Sequence, residues 1–95
     1  MSSAIWKFRV DPADRIAVEM PKDARILSVQ VLSDGQPYVW ALVNPDAEKE
    51  LRTFRLLPTG VPFLDDPMHL LYVGSFQINS ETPRSLVFHV FELRP

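Results

Sequence analysis

The sequence has no cysteine, only three glycines and no long hydrophobic run. Without cysteine, a disulfide scaffold and a cysteine-ligated zinc site are both excluded. No window approaches the ~20 consecutive apolar residues of a membrane span. The amino terminus has neither the basic segment nor the apolar run of a secretory signal. These absences predict a cytoplasmic protein that does not enter a membrane.

The charge of the chain is nearly balanced. Ten Lys+Arg residues and twelve Asp+Glu residues give a net charge of −2 and a pI of about 5.6. A domain that coats nucleic acid is strongly basic, because it must neutralise phosphates. We therefore expect no non-specific nucleic-acid binding.

The chain is short for the core that it must build. Its 95 residues, of which 46% are hydrophobic, predict a single domain over residues 1–95. A domain of this size buries a smaller fraction of its surface than a larger domain does, and the stabilisation from this burial nearly cancels against the entropy cost of ordering the chain. Self-association would add burial and therefore stability.

Short segments of alternating apolar and polar residues run along the whole chain. A period of two residues is typical of a β-strand with one buried face. The pattern predicts an all-β protein, a small antiparallel sandwich or a partly open barrel of about seven short strands. The predicted strands cover residues 5–10, 16–20, 26–32, 38–43, 52–57, 70–78 and 86–93, and residues 79–85 join the last two.

The connections carry several turn signals. Asp34-Gly35 lies between two apolar runs and predicts a hairpin of type I′ or a related type. Asn44-Pro45 suits the start of a single helical turn. Residues 58–69 form the longest unpatterned stretch and include three prolines. This stretch is predicted to be either a functional loop or a rigid strap across the core.

Alternation also predicts which side chains share a face. In the third strand, Leu27, Val29 and Val31 are expected on one side. The fourth and seventh strands are apolar on both sides, so we expect both of their faces to be covered, within the chain or by a partner. This burial predicts a homodimer or larger oligomer with the seventh strand near the contact.

Several segments, in this order along the chain, resemble a family of short uncharacterised proteins encoded by phages and prophages. The segments are residues 5–8, 18–21, 26–30, 40–45, 54–60, 72–76 and 87–92, among them Trp40-Ala41-Leu42-Val43-Asn44-Pro45 and Leu57-Pro58-Thr59-Gly60. The resemblance covers nearly the whole chain and brings no assigned catalytic motif. It implies a phage accessory protein that acts inside a bacterial host cell.

One group of residues has the composition of a metal or acid–base site. Asp65, Asp66 and His69 offer two carboxylates and an imidazole within five positions. The same residues are also good turn formers beside Pro67. No serine has the Gly-x-Ser-x-Gly context of a hydrolase, and no phosphate-binding loop is present. We therefore expect no catalytic residue, no metal ligand and no cofactor.

Six residues are candidates for contacts with a bound partner. A guanidinium that holds phosphate and an aromatic ring that stacks on a base would together bind a nucleotide-like small molecule. Those candidates are Arg52, Arg55, Tyr38 and Trp40, and His69 and His89 complete the set. The alternative interpretation pairs the arginines with nearby glutamates and places His89 at an edge or interface.

These expectations predict a binding protein and not an enzyme. The protein would capture a host protein or a small signalling molecule for a phage, as in counter-defence, and would act as a homo-oligomer. Two alternatives stay open. One is a small metal-assisted enzyme that uses Asp65, Asp66 and His69, and the other is a virion or assembly accessory protein.

Overall fold

The computed structural model describes residues 2–11, 13–78 and 86–94. The predicted connection 79–85 lies outside the described residues. Within them the chain forms two antiparallel sheets and no closed barrel, so the predicted all-β sandwich is confirmed. None of these residues forms a helix that could cross a membrane. The strands are β1 (Ala4–Arg9), β2 (Arg15–Pro21), β3 (Arg25–Val31), β4 (Pro37–Val43), β5 (Lys49–Pro58), β6 (Leu70–Ile78) and β7 (Leu86–Leu93).

The two sheets divide the chain unequally. Sheet A has the strand order β1-β4-β3, and sheet B has the order β2-β5-β7-β6. In sheet A, β1 pairs with β4 from Ala4 opposite Val43 to Arg9 opposite Tyr38. In sheet B, the whole of β2 pairs with residues 49–55 of β5, whereas β7 pairs with β5 only from Phe54 to Pro58.

The core lies between the inner faces of the sheets, where alternate residues of each strand point. Its largest fully buried side chains include Phe54, Met20 and Leu56. Sheet A contributes valines and an alanine, and sheet B contributes the bulkier residues. The buried cluster is Val10, Val18, Met20, Ala24, Val29, Val39, Ala41, Val43, Phe54, Leu56, Phe76 and Val90.

The connection between β5 and β6 is long because of the strand order. Both strands are antiparallel to β7, which lies between them, so they run parallel to each other. Parallel strands cannot be joined by a tight turn and need a crossover of about a dozen residues. Residues 59–69, which we call the strap, make this crossover and include a single 3₁₀ turn, Pro67–His69.

The predicted hairpin between β3 and β4 is confirmed, and its turn is of the related type. Gly35 has a positive φ of 77°, whereas a type I′ turn needs positive φ at two successive residues. The Gly35 N–H donates to the Leu32 carbonyl at 2.9 Å, and the Leu32 N–H donates to the Gln36 carbonyl at 3.0 Å. This is the pattern of a three-residue loop with glycine in the left-handed region.

One local prediction is wrong. A bulge between Ile26 and Ser28 shifts the register of β3, so Ile26 packs against the core and Leu27 is 43% exposed. After Asn44 the chain makes a single turn, closed by the Ala47 N–H, which donates to the Asn44 carbonyl at 3.1 Å. The Asn44 side chain caps this turn by accepting the Asp46 N–H at 3.0 Å, although the turn does not become a helix.

Two-sided burial is only partly achieved within the chain. On β4, Val39, Ala41 and Val43 are buried, whereas the opposite face carries the half-buried Trp40 and the exposed Leu42. On β7 both faces are at least half-covered after Leu86. The strap explains the cover on the outer face of sheet B, and the outer face of sheet A has no such layer among the described residues.

Candidate functional site

The strap is fixed to the outer face of sheet B by a two-point ion pair. Arg55 lies on that face of β5, and its Nε and Nη2 atoms donate to the two oxygens of Asp65 at 3.1 and 2.8 Å. Its third nitrogen, Nη1, donates to the Asp14 carbonyl at 2.6 Å. The Arg55 guanidinium lowers the pKa of the Asp65 carboxyl below its ordinary value. Both side chains are nearly buried, at 13% and 12% exposed.

Both ends of the strap are held as well. At the β5 end, the Thr59 N–H donates to the Val87 carbonyl at 3.1 Å. At the β6 end, the Asp66 carboxylate caps the 3₁₀ turn by accepting the Met68 N–H at 2.9 Å. The Arg94 N–H then donates to the His69 carbonyl at 2.8 Å. The strap is therefore a preorganised segment.

The apolar side chains of the strap point to solvent. Leu64 is fully exposed, Met68 is 85% exposed, and Val61 and Phe63 are 55% and 42% exposed. Beneath the strap, Leu57 is 5% exposed, although it does not belong to the cluster between the sheets. The strap thus presents four apolar side chains outward. Because it is attached to Arg55, two residues from Leu57 on the same face of β5, we infer that it is the segment that covers Leu57.

A row of hydrogen-bonded side chains lies on the same face of sheet B. His89 of β7 contacts the Ser75 hydroxyl through Nδ1 and the Thr59 hydroxyl through Nε2, each at 2.7 Å. Ser75 in turn contacts the Tyr72 hydroxyl at 2.7 Å. Tyr72 and Ser75 are three residues apart and share a face only because β6 shifts register between Tyr72 and Gly74.

The donors and acceptors in this row are fixed by the backbone carbonyl at its end. The Thr59 hydroxyl is 3.3 Å from the Val87 carbonyl, which can only accept a hydrogen bond. When Thr59 donates there, it accepts from His89 Nε2–H, which leaves Nδ1 free to accept from Ser75. This order points the Ser75 proton at an imidazole, as in a nucleophile and base pair. The imidazole contacts two hydroxyls and no carboxylate among the described residues.

Arg52 lies on the other face of β5, at one end of the sandwich. It makes a two-point ion pair with Glu92 and donates through Nη1 to the Ala24 carbonyl at 2.8 Å. Glu50 lies 3.6 Å from the same nitrogen. The hydrogen bonds that Arg52 donates to Glu92 raise the pKa of Arg52. Arg52 therefore makes the glutamate pairing that we predicted as the alternative for the arginines, whereas Arg55 pairs with an aspartate.

Tyr38 and Trp40 lie on the outer face of sheet A, away from both arginines. The Tyr38 hydroxyl donates to Asp34, which lowers the pKa of Asp34 and raises that of Tyr38. The Trp40 Nε1–H donates to Gln30 at 3.2 Å, and the Lys7 ammonium lies 4.8 Å from the centre of the Tyr38 ring. Arg9 lies on this face and pairs with Asp11.

The six predicted contact residues therefore occupy three places. Arg55, His89 and His69 are on or beside the strap side of sheet B, Arg52 is at the end of the sandwich, and the two aromatic rings are on sheet A. The structure does not bring a guanidinium of β5 together with Tyr38 or Trp40. Over residues 2–11, 13–78 and 86–94, no three carboxylate or imidazole groups are grouped as a metal-binding set.

A comparison with known protein families matches the whole chain. Residues 1–95 match a domain of unknown function, DUF7352. The chain belongs to this family. Neither the curated proteins nor the solved structures contain a match to it.

In this DUF7352 chain, the outward apolar residues of the strap were not predicted from the sequence. Val61, Phe63, Leu64 and Met68 alternate irregularly among prolines, so no period marks them as a face. The signal that could have found them is composition, because four large apolar residues in eight positions are unusual for a solvated loop. The row of Tyr72, Ser75 and His89 was not predicted either, since the bulge that brings Tyr72 onto the face of Ser75 leaves no clear period in the sequence.

Proposed function

We propose that the chain is a non-enzymatic binding protein that captures a host protein through the strap. The observation that carries this proposal is the exposure of Leu64 and Met68 on a segment that is fixed from below by Asp65 and Asp66. Exposed large apolar side chains grouped on a surface are typical of interaction sites. A segment that is ordered before binding loses less conformational entropy in the complex.

The shape of the strap favours a protein over a small signalling molecule as the captured partner. Small-molecule sites are concave, and a few polar groups orient the ligand within them. Leu64 and Met68 project outward instead, so they suit a pocket on a protein partner. Methionine adapts its shape to such pockets because its side chain is unbranched and flexible.

The resemblance to phage and prophage proteins supports the biological setting of the proposal. It suggests a phage-encoded protein that acts in the cytoplasm of the bacterial host. Capture of a host protein would then serve the phage, and counter-defence is the role that we propose. The nearly neutral charge of −2 agrees with a protein partner rather than a nucleic-acid one.

We also propose a homodimer or larger oligomer with β7 near the contact. Because β7 is paired with β5 and β6 and the strap crosses its outer face, a second copy would meet sheet B beside β7, on the part of that face around Tyr72 of β6. Tyr72 is 60% exposed on that face and packs edge-on against Phe91 at 5.3 Å between ring centres. Sedimentation equilibrium at micromolar concentration should show a dimer that Tyr72→Ser weakens. A monomer at every concentration would contradict this part and leave the capture proposal unaffected.

The capture proposal is tested by comparing three chains in phage-infected bacteria. The wild type, the double variant Leu64→Ser/Met68→Ser and the control Ile5→Ser are expressed with an affinity tag, cross-linked and purified. Ile5 is a matched control because it is 61% exposed on the other sheet. We expect one host protein to be enriched with the wild type and the control, and lost with the double variant.

The affinity of the chain for the captured host protein is then measured with the purified proteins. Each apolar side chain that becomes buried contributes ~1.5–3 kcal/mol, so the double variant should weaken binding at least about tenfold. Calorimetry should also show a negative heat-capacity change for the wild type. Equal binding by the wild type and the double variant would contradict the proposal.

A further inference from the structure

Ser75 and His89 form a hydrogen-bonded pair on the outer face of sheet B. Ser75 belongs to β6 and His89 to β7, and the strand register sets the two residues directly opposite each other. The Ser75 Oγ and His89 Nδ1 atoms are 2.7 Å apart. The pair is separate from the exposed apolar side chains through which we propose that the strap captures a protein.

The imidazole of His89 is held in the tautomer that a general base needs. Its Nε2 atom is 2.7 Å from the Thr59 hydroxyl, which itself donates to the Val87 carbonyl. Nε2 therefore carries the proton, and Nδ1 has a free lone pair that accepts the Ser75 proton. A serine hydroxyl becomes a nucleophile when an adjacent base can take its proton. Thr59 is a positioning residue in this arrangement, because it acts on Ser75 only through His89.

The hydroxyl of Tyr72 brings a third group to the same point. It is 2.7 Å from the Ser75 Oγ atom. Because the Ser75 proton is directed at His89, the Tyr72 hydroxyl donates to Ser75 in the free protein. When Oγ bonds to a carbonyl carbon, the carbonyl oxygen gains negative charge next to this donor. Tyrosine hydroxyls are among the groups that stabilise such an oxyanion.

Solvent reaches this group of side chains. Ser75 is exposed, and His89 is half-buried. Tyr72 is 60% exposed and packs edge-on against Phe91, so an apolar aromatic surface adjoins the nucleophile. Over the described residues, the side chains that bond to Ser75 and His89 through their polar atoms carry no charge. An uncharged ester with a short apolar acyl group fits these surroundings, because the acyl group leaves water when it packs against the rings.

We propose that Ser75 is an acyl-acceptor site that reacts with activated esters of short apolar carboxylic acids. Ser75 Oγ bonds to the carbonyl carbon while its proton passes to His89 Nδ1, and the oxyanion accepts a hydrogen bond from Tyr72. The bond to the leaving alcohol then breaks, and His89 returns the proton to that alcohol. The products are O-acyl-Ser75 and the free alcohol.

This acylation modifies the chain once and does not rest on capture by the strap. An O-acylserine is an alkyl ester, whose leaving group is poorer than that of an aryl ester, so we expect the modified chain to accumulate rather than to turn over. The imidazolium that forms on His89 contacts no carboxylate among the described residues, so the reaction should be slower than in a serine hydrolase.

The test uses para-nitrophenyl butyrate, an activated aryl ester, as the probe. The wild-type chain is kept at nanomolar concentration, below the micromolar range of the proposed dimer, because a second copy around Tyr72 would cover Ser75. Peptide mapping by mass spectrometry should find one butyryl group, on Ser75. Ser28 is the internal control, since it is exposed on β3 in sheet A, away from His89. It should react at least about 100-fold more slowly, as expected without a general base.

Variants separate the roles of the neighbouring side chains. His89→Gln should slow acylation of Ser75 about 100-fold, because glutamine is not a general base. Tyr72→Phe keeps the aromatic ring but removes the oxyanion donor, and it should slow the reaction about tenfold or more. Thr59→Val should slow it about two- to tenfold, because the imidazole loses its fixed orientation. Thr59→Ser should restore the wild-type rate, since it returns the hydroxyl.

Three results would each overturn the proposal. They are a Ser75 that reacts no faster than Ser28, a butyryl group that is found on other residues and not on Ser75, and a His89→Gln variant that reacts as fast as the wild type. The comparison with Ser28 is made within one chain, so it does not depend on the folding of a variant. Leu64→Ser/Met68→Ser should react like the wild type, so a failure of capture by the strap would leave this result unaffected.

Discussion

Arg55 and Asp65 are joined by two parallel hydrogen bonds, at 3.1 and 2.8 Å, across the outer face of sheet B. Arg55 belongs to β5, and Asp65 lies in the strap that carries the chain from β5 to β6. A two-point guanidinium–carboxylate pair fixes orientation as well as distance. This pair therefore sets how the strap lies over β7 and which of its side chains face solvent.

Asp65→Asn should lower the free energy of unfolding at neutral pH, because the amide replaces only part of the ion pair. The folded-state pKa of Asp65 is lowered by Arg55. Its contribution is therefore complete above the unfolded pKa of ~3.9 and declines as the pH falls below it toward the folded pKa. Urea titrations at several pH values should show the gap between wild type and variant closing from about pH 4 downward.

The exposed Asp46→Asn is the control for that measurement. The difference in the free energy of unfolding between the wild type and this control should not close as the pH falls. A constant gap for Asp65→Asn across the acid range would contradict the proposed role of the ion pair.

Leu57→Ala should destabilise the protein as strongly as a substitution in the core between the sheets. Leu57 is 5% exposed under the strap, so its truncation leaves a cavity. We expect a loss of ~2–4 kcal/mol in the free energy of unfolding, measured by urea denaturation. Leu42→Ala, on the partly exposed outer face of sheet A, is the comparison and should cost much less. Equal small losses for both would show that the strap does not seal Leu57.

Gly74→Ala should destabilise the contact between β6 and β3. A Cβ atom at this position would lie 2.9 Å from Val29 Cγ1, which is closer than real Cβ contacts. The expected cost is ~1–3 kcal/mol, as for other overpacked sites. The double variant Gly74→Ala/Val29→Ala should lose less stability than the sum of the two single variants. Strict additivity would show that the two positions do not meet.

Neutral His89 should carry its proton on Nε2. This follows from the Thr59 hydroxyl, which donates to the Val87 carbonyl and so accepts from Nε2. Nitrogen chemical shifts of the imidazole distinguish the two tautomers directly. Thr59→Val should remove the preference, because valine offers no acceptor. A proton on Nδ1 in the wild type would reverse the whole row through Ser75 and Tyr72.

Much of the fold could be predicted from alternation in the sequence. All seven strands are predicted from the sequence, since each is a short alternating or continuously apolar run that is bounded by turn formers. The hairpin at Asp34-Gly35 was also predictable, because glycine at this position supplies a positive φ. Strands and hairpin turns depend on residues that are close in the chain, so a local sequence pattern predicts them.

The remaining features depend on distant contacts. The bulges at Leu27 and Val73 shift the register of β3 and β6, and alternation gives no sign of such a shift. The insertion of β7 between β5 and β6 makes the strap necessary, yet no local pattern encodes that strand order. For the same reason the pairing of Arg55 with Asp65 could not be foreseen. Alternation did place Arg52 and Arg55 on opposite faces of one strand.

Hydroxyl-radical footprinting of the complex recovered from infected cells tests the central claim most directly. The claim is that the strap carries the contact with the captured protein. Oxidation of Met68 and Leu64 should fall sharply in the complex relative to the free chain, while Ile5 on sheet A should be oxidised equally in both. Unchanged oxidation of Met68 and Leu64, with protection appearing on sheet A, would contradict the account.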